Sequence, residues 1–181
     1  MLFGNLFGGI RGCLPTARIG TMHIWTIENW VKNLAPTNER RTGLRLRFDP
    51  GVDPEVRTAV KTFCAWLRTE YYFPLRVPVY VKSTRRVRTM DGDLVCGSFF
   101  EPFDYRIEPY IRIAVGDFRE LLESQGRDDA LASILSTLAH ELTHYFQWIN
   151  GLDLTDTGRE RQATRYAKYI LSEYAETREH P

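Results

Sequence analysis

Residues 127–151 read RDDALASILSTLAHELTHYFQWING, and this stretch decides the architecture of the chain. Its apolar residues recur at steps of three and four, which is the period of an amphipathic α-helix. The pattern closes at Asn150-Gly151, a pair suited to the C-terminus of a helix. The sequence therefore predicts a long helix over Asp128–Asn150 whose apolar stripe faces a core. The stripe comprises Leu131, Ile134, Leu135, Leu138, Leu142, Tyr145 and Ile149.

A polar pentad, His140-Glu141-Leu142-Thr143-His144, lies within this helix. Positions four apart share one helix face, so the two imidazoles can reach one zinc ion at ~2.0–2.1 Å each. Glu141 lies beside the first ligand and can take a proton from a water molecule at the metal without binding the metal itself. An HExxH pentad is expected by chance in about 0.6% of chains of this length and composition. The pentad therefore predicts a Zn²⁺ site with Glu141 as general base.

A catalytic zinc needs a third protein ligand and one open position. The pattern HExxHxxGxxH is absent, because Gln147 and Asn150 stand where glycine and histidine are required. Glu160 is the favoured third ligand, since it lies in the first turn of a helix predicted from Arg159 to Tyr174. Small residues at Ala163 and Ala167 on the same face would let that helix approach the first one closely.

Other assignments stay open for the third ligand. Asp153 is the second choice, although it follows the helix end by only three residues. His180 is the remaining histidine after the pentad, but it lies beside the C-terminus. Glu160 itself would also suit the N-terminal end of a helix dipole. The other carboxylate candidates after the pentad are Asp156, which is typical of a helix N-cap, Glu173 and Glu176.

The rest of the chain predicts an α+β fold with a single domain over residues 23–181. Residues 1–22 are expected to be a disordered tail or upstream sequence from a mis-assigned start, because they lack the charged opening of a signal peptide. Asp53-Pro54-Glu55 has the residues that begin a helix. The predicted elements before the pentad are helix His23–Leu34, strand Leu44–Phe48, helix Pro54–Tyr71, strands Val77–Val81, Leu94–Phe100 and Tyr110–Val115, and helix Asp117–Ser124.

Composition excludes several classes of protein. The net charge is +1, so nucleic acid and anionic membranes are not expected partners. The run Arg85, Arg86 and Arg88 is typical of a solvated strand edge. Three cysteines without CxxC spacing argue against a disulfide framework and against a zinc knuckle, which favours a reducing, cytoplasmic setting. No stretch is long and apolar enough for a membrane helix.

The pentad, the reversing loop and the pattern Glu-x-x-Ala-x-x-x-Ala from Glu160 resemble the gluzincin zinc peptidases. Within that group, the chain is most similar over Leu44–Tyr174 to the minimal SprT-like and ImmA-like kind. The resemblance implies a zincin-like fold: a short mixed or antiparallel sheet, a backing helix, an active-site helix and a C-terminal ligand helix. It also implies that Tyr110–Val115 borders the cleft with a free edge for an extended peptide. Tyr166 and Arg165 are the residues considered for stabilising the oxyanion.

We therefore expect a zinc-dependent peptidase that acts on a protein or peptide substrate. The alternative is a non-catalytic binding or regulatory module in which zinc ties two helices together. The sequence favours the enzyme, because a structural site does not need Glu141 and usually has four protein ligands. A self-inhibited proenzyme, with Cys13 or the acidic tail 173–181 at the open metal position, is a third hypothesis.

Overall fold

The computed structural model describes residues 23–177, and within them the fold is α+β with four α-helices and a small mixed sheet. This confirms the predicted fold class. The expectations placed on residues 1–22, on Cys13 and on His180 lie outside the described residues. The strands are β1 (Leu44–Phe48), β2 (Val77–Lys82), β3 (Val87–Arg88), β4 (Leu94–Val95), β5 (Gly97–Phe100) and β6 (Tyr110–Ala114). The helices are α1 (Pro54–Glu70), α2 (Phe118–Gln125), α3 (Arg127–Ile149) and α4 (Asp156–Glu176).

The main sheet has the strand order β1-β2-β6-β5. Its first three strands are parallel and β5 is antiparallel to β6, with Phe99 opposite Ile111. Strands β3 and β4 form a separate hairpin. The predicted strand Leu94–Phe100 is therefore divided at Cys96, where the chain leaves the hairpin and joins the main sheet. The Cys96 carbonyl accepts a hydrogen bond from the Ala114 amide at 2.7 Å.

The expectation of a free edge on Tyr110–Val115 is wrong. Strand β6 is bonded to β2 on one side and to β5 on the other, so its backbone groups are already used. The edge of the sheet on this side is β5 in the described residues. A five-residue strand with alternating apolar residues fits an inner position as well as an edge position, so the sequence alone did not separate the two.

Helix α1 begins as predicted and buries one face against the sheet and α3. The Asp53 side chain accepts a hydrogen bond from the Glu55 amide at 2.8 Å, and Pro54 occupies the first turn, where no amide donor is needed. The buried face comprises Val56, Val60, Phe63, Cys64 and Leu67. It joins the buried residues of β2, β6 and α3 in one core.

The helix predicted over His23–Leu34 is wrong, because only a 3₁₀ turn at Asn29–Lys32 forms there. The segment instead bonds to α3 and α4. The Ile24 amide donates to the Tyr166 hydroxyl at 3.1 Å, and the Trp25 indole donates to Thr143 at 3.2 Å. A helix of this length is marginal on its own, so these tertiary contacts override the local apolar pattern.

Helices α3 and α4 pack against each other. Ala163 and Ala167 of α4, the small residues that the sequence places on one face, are both buried. Helix α4 begins three residues earlier than expected, at Asp156. Its N-cap is Thr155, whose hydroxyl accepts a hydrogen bond from the Gly158 amide at 3.1 Å, so the assignment of Asp156 as the cap is wrong. No helix among residues 23–177 has the length and apolar character needed to cross a membrane.

Candidate metal centre

Helix α3 places both histidines of the pentad on one face. The Nε2 atoms of His140 and His144 are 3.1 Å apart, and the two rings stand edge to face. His144 is buried and His140 is half-buried. The same nitrogen of each ring is therefore directed at one point, which is the arrangement required of two ligands at i and i+4.

Glu160 brings its carboxylate to the same point from the second turn of α4, and not from the first turn as expected, because the helix begins at Asp156. One oxygen lies 3.2 Å from His140 Nε2 and the other lies 3.2 Å from His144 Nε2. These three residues form a group whose potential ligand atoms all lie within 4.8 Å of one another. The structure thus joins His140, His144 and Glu160, as the sequence predicted.

The spacing of these atoms fits a small tetrahedral cation. Bonds of ~2.0–2.1 Å at tetrahedral angles separate two ligand atoms by roughly 3.3 Å. The two Nε2 atoms are 3.1 Å apart, and each of them lies 3.2 Å from a different oxygen of Glu160. The Glu160 side chain is 63% exposed, so the group lies at the surface of a cleft and not inside the core. The group could therefore hold a metal ion that remains accessible from outside.

Glu141 points into the same cleft but is not part of the ligand group. It is only 7% exposed, and burial raises the pKa of its carboxyl to about 8. The negative charge of Glu160 contributes to this rise, whereas a backbone hydrogen bond from Phe99 opposes it. A carboxyl with its pKa near neutrality is suited to both accepting and returning a proton.

Strand β5 approaches α3 closely at Gly97. A Cβ atom at this position would lie 2.6 Å from Glu141 Oε1 and 2.7 Å from the Thr137 methyl group. No side chain fits in that space without moving Glu141 or the strand. Gly97 thus permits strand β5 to approach the Glu141 carboxylate closely. In a sequence, a single glycine within a strand indicates a close approach of this kind but does not identify its partner.

Burial also affects His144. It lowers the pKa of the imidazole, and the nearby charges of His140 and Arg159 act in the same direction, while Gln147 and Glu160 oppose them. The neutral form of the ring is the form that binds a metal. Its Nδ1 atom lies 2.8 Å from Gln147 Oε1, on the side of the ring away from the other ligands.

The three ligand candidates and Glu141 open into one cleft of about 750 Å³. Its walls come from β5 with the preceding hairpin, from α3, and from the first two turns of α4. An ion pair between Glu101, just after β5, and Arg159 of α4 joins two of these walls. The remaining lining residues are Thr89, Val95, Cys96, Gly97, Ser98, Phe99, Ser136, Thr137 and Asp156.

No family model, curated protein or solved structure matches this chain. The interpretation of the cleft therefore depends on its own residues and their geometry.

The other candidates from the sequence do not join the ligand group. Asp153 is exposed and is absent from both the group and the cleft lining. Asp156 lines the cleft but is not one of the grouped ligands. Glu173 accepts hydrogen bonds from Tyr71 and Tyr169, and Glu176 lines a different cavity.

The residues considered for oxyanion stabilisation are also not at the cleft. Tyr166 accepts the hydrogen bond from the Ile24 amide, and Arg165 is exposed and does not line the cleft. Arg159 is the cationic side chain among the described residues that line it. Sequence reasoning missed this residue, because its only signal was its position beside Glu160.

Proposed function

We propose that this chain is a zinc-dependent peptidase of zincin-like architecture, related to the gluzincins that its pentad resembles. The observation that carries the proposal is the meeting of His140, His144 and Glu160 at 3.1–3.2 Å beside the buried carboxylate of Glu141. Two imidazoles and one carboxylate are a typical ligand set of catalytic zinc, which keeps its fourth position open.

Glu141 is the proposed general base. A bound zinc supplies Lewis acidity, which polarises the scissile carbonyl and makes water a stronger nucleophile near neutral pH. Glu141 takes a proton from the attacking water and then donates it to the leaving amine. In the metal-free protein this pKa is raised, chiefly by burial, and a cation bound to the neighbouring ligands would lower it and favour the carboxylate form that a general base requires.

The substrate that this cleft suits is an extended peptide. Strand β5 lies along the cleft and ends the sheet in the described residues, so its outer edge has no strand partner there, although the Phe99 amide bonds to Glu141. Main-chain hydrogen bonds to a strand edge bind a peptide without regard to most of its side chains.

The deciding experiment compares wild type with Glu141→Gln for zinc content and for cleavage of a broad peptide library. We expect about one zinc per chain in both proteins, with cleavage only by the wild type, because an amide cannot accept the proton. Glu176→Gln, an exposed change on α4 outside the cleft, is the matched control and should leave cleavage unchanged.

Two results would contradict the proposal. A wild type that takes up no zinc at neutral pH after supplementation would remove the metal site. A wild type that holds zinc but cleaves nothing would instead support a binding module in which the metal ties α3 to α4.

A further inference from the structure

Behind the candidate ligand group lies the buried polar side chain of Gln147, which has no role in the proposed chemistry. Gln147 is 1% exposed and lies one turn after His144 on α3. Its Oε1 atom is 2.8 Å from His144 Nδ1. Its Nε2 atom donates to the Arg159 carbonyl at 3.0 Å and to Gln162 Oε1 at 2.9 Å. Every polar atom of this side chain thus has a partner.

The orientation of the Gln147 amide follows from these partners. A backbone carbonyl such as that of Arg159 can only accept a hydrogen bond, so the amide atom facing it must be the NH₂ group. The oxygen of Gln147 must then face His144. An oxygen can only accept, so the atom it meets, His144 Nδ1, must carry the proton. The position of the proton on His144 Nδ1 thus follows from the Arg159 carbonyl, which can only accept, and not from an arbitrary choice between the two orientations of the Gln147 amide.

We infer that Gln147 is a positioning residue that fixes His144 in the tautomer with Nδ1 protonated and Nε2 free to bind metal. In neutral imidazole one nitrogen is a donor and the other an acceptor, so a proton held on Nδ1 leaves the lone pair on Nε2. That is the atom directed at His140 and Glu160. Metal-bound histidines commonly have such a partner on the second nitrogen.

The same side chain also anchors the third ligand. The carbonyl that accepts from Gln147 belongs to Arg159, the residue directly before Glu160. One amide therefore connects the ring of His144 on α3 to the turn of α4 that carries Glu160. This connection gives a role to a glutamine that is buried on the same face of α3 as His140 and His144.

The inference rests on the proposed metal site, but its first test needs neither metal nor substrate. Histidine side chains of the metal-free full chain are labelled with ¹⁵N, and long-range ¹H–¹⁵N spectra are recorded in alkaline buffer. The His144 signals are assigned by their loss in His144→Gln. We expect Nδ1 protonated and Nε2 unprotonated. The reverse pattern in the wild type would overturn the inference, whatever the protein proves to catalyse.

The second test measures zinc affinity by competition with a chelator. Gln147→Leu has a similar volume but no acceptor, and we expect it to weaken zinc binding about 10- to 100-fold and to change the tautomer pattern of His144. Gln162→Leu is the matched control, because it removes one partner of Gln147 and keeps the bond to His144. We expect it to change affinity less than about threefold. Unchanged affinity in Gln147→Leu, or an equal loss in both variants, would overturn the inference.

Discussion

Gly97→Ala should reduce peptidase activity without reducing metal binding. The new Cβ would lie 2.6 Å from Glu141 Oε1 and 2.9 Å from Glu141 Cγ, both well inside normal contact distance. Either the carboxylate or strand β5 must move by roughly 0.5–1 Å to restore ordinary packing. A misplacement of about 1 Å in a reacting group can cost about 100-fold in rate, which corresponds to about 2.7 kcal/mol of transition-state stabilisation.

The assay for this prediction is kcat/KM on a cleaved peptide, measured alongside zinc content. We expect a loss of about 100-fold in kcat/KM with full zinc occupancy, because the atoms nearest to the new Cβ belong to Glu141 and Thr137 and not to the candidate ligands. Gly51→Ala is the matched control, since its Cβ would meet only the Ser83 side chain at 3.2 Å, outside the cleft. A Gly97→Ala protein within about threefold of wild type would refute the steric reasoning.

Two further predictions concern the carboxylates of the cleft. Glu160→Ala should weaken zinc binding by more than about 100-fold, because loss of a residue that only supports a metal ligand already lowers affinity by about 10- to 100-fold. Asp153→Ala should retain the wild-type affinity in the same chelator competition. In the metal-free protein, the Glu141 pKa is raised from 4.5 to about 8, so the folded state binds more protons and the free energy of unfolding should fall as pH rises from 4.5 to 8. Denaturant titrations should show this fall to be larger in wild type than in Glu141→Gln by a few kcal/mol; equal pH profiles would contradict it.

Much of the site could be predicted from the sequence because its ligands lie close together along the chain. The 3.6-residue period of α3 fixed the common face of His140 and His144. The position of Glu160 followed from one loop and from the small residues after it. The alternation of apolar and polar residues likewise predicted the bounds of β1 and β2 closely, since a period of two residues is a local signal.

The parts that could not be predicted depend on contacts between distant segments. Nothing local distinguishes β6 as an inner strand from an edge strand, because that depends on where β5 returns. The segment around Ile24 and Trp25 has a helical pattern, but hydrogen bonds to α3 and α4 override it. Gln147 and Gly97 have no motif of their own, and their roles became visible only through the atoms that they face.

His140 and Glu160 are only 20 positions apart, and α3 and α4 with their short loop supply the whole ligand group. The surroundings of Glu141 differ in this respect, because they include strand β5, which lies much earlier in the chain. The candidate ligands and the strand that covers Glu141 are therefore encoded in separate parts of the sequence. Changes in the strand can adjust the surroundings of Glu141 while the helical hairpin keeps the ligand group, whereas a change at Glu160 would affect both, because its charge also raises the Glu141 pKa.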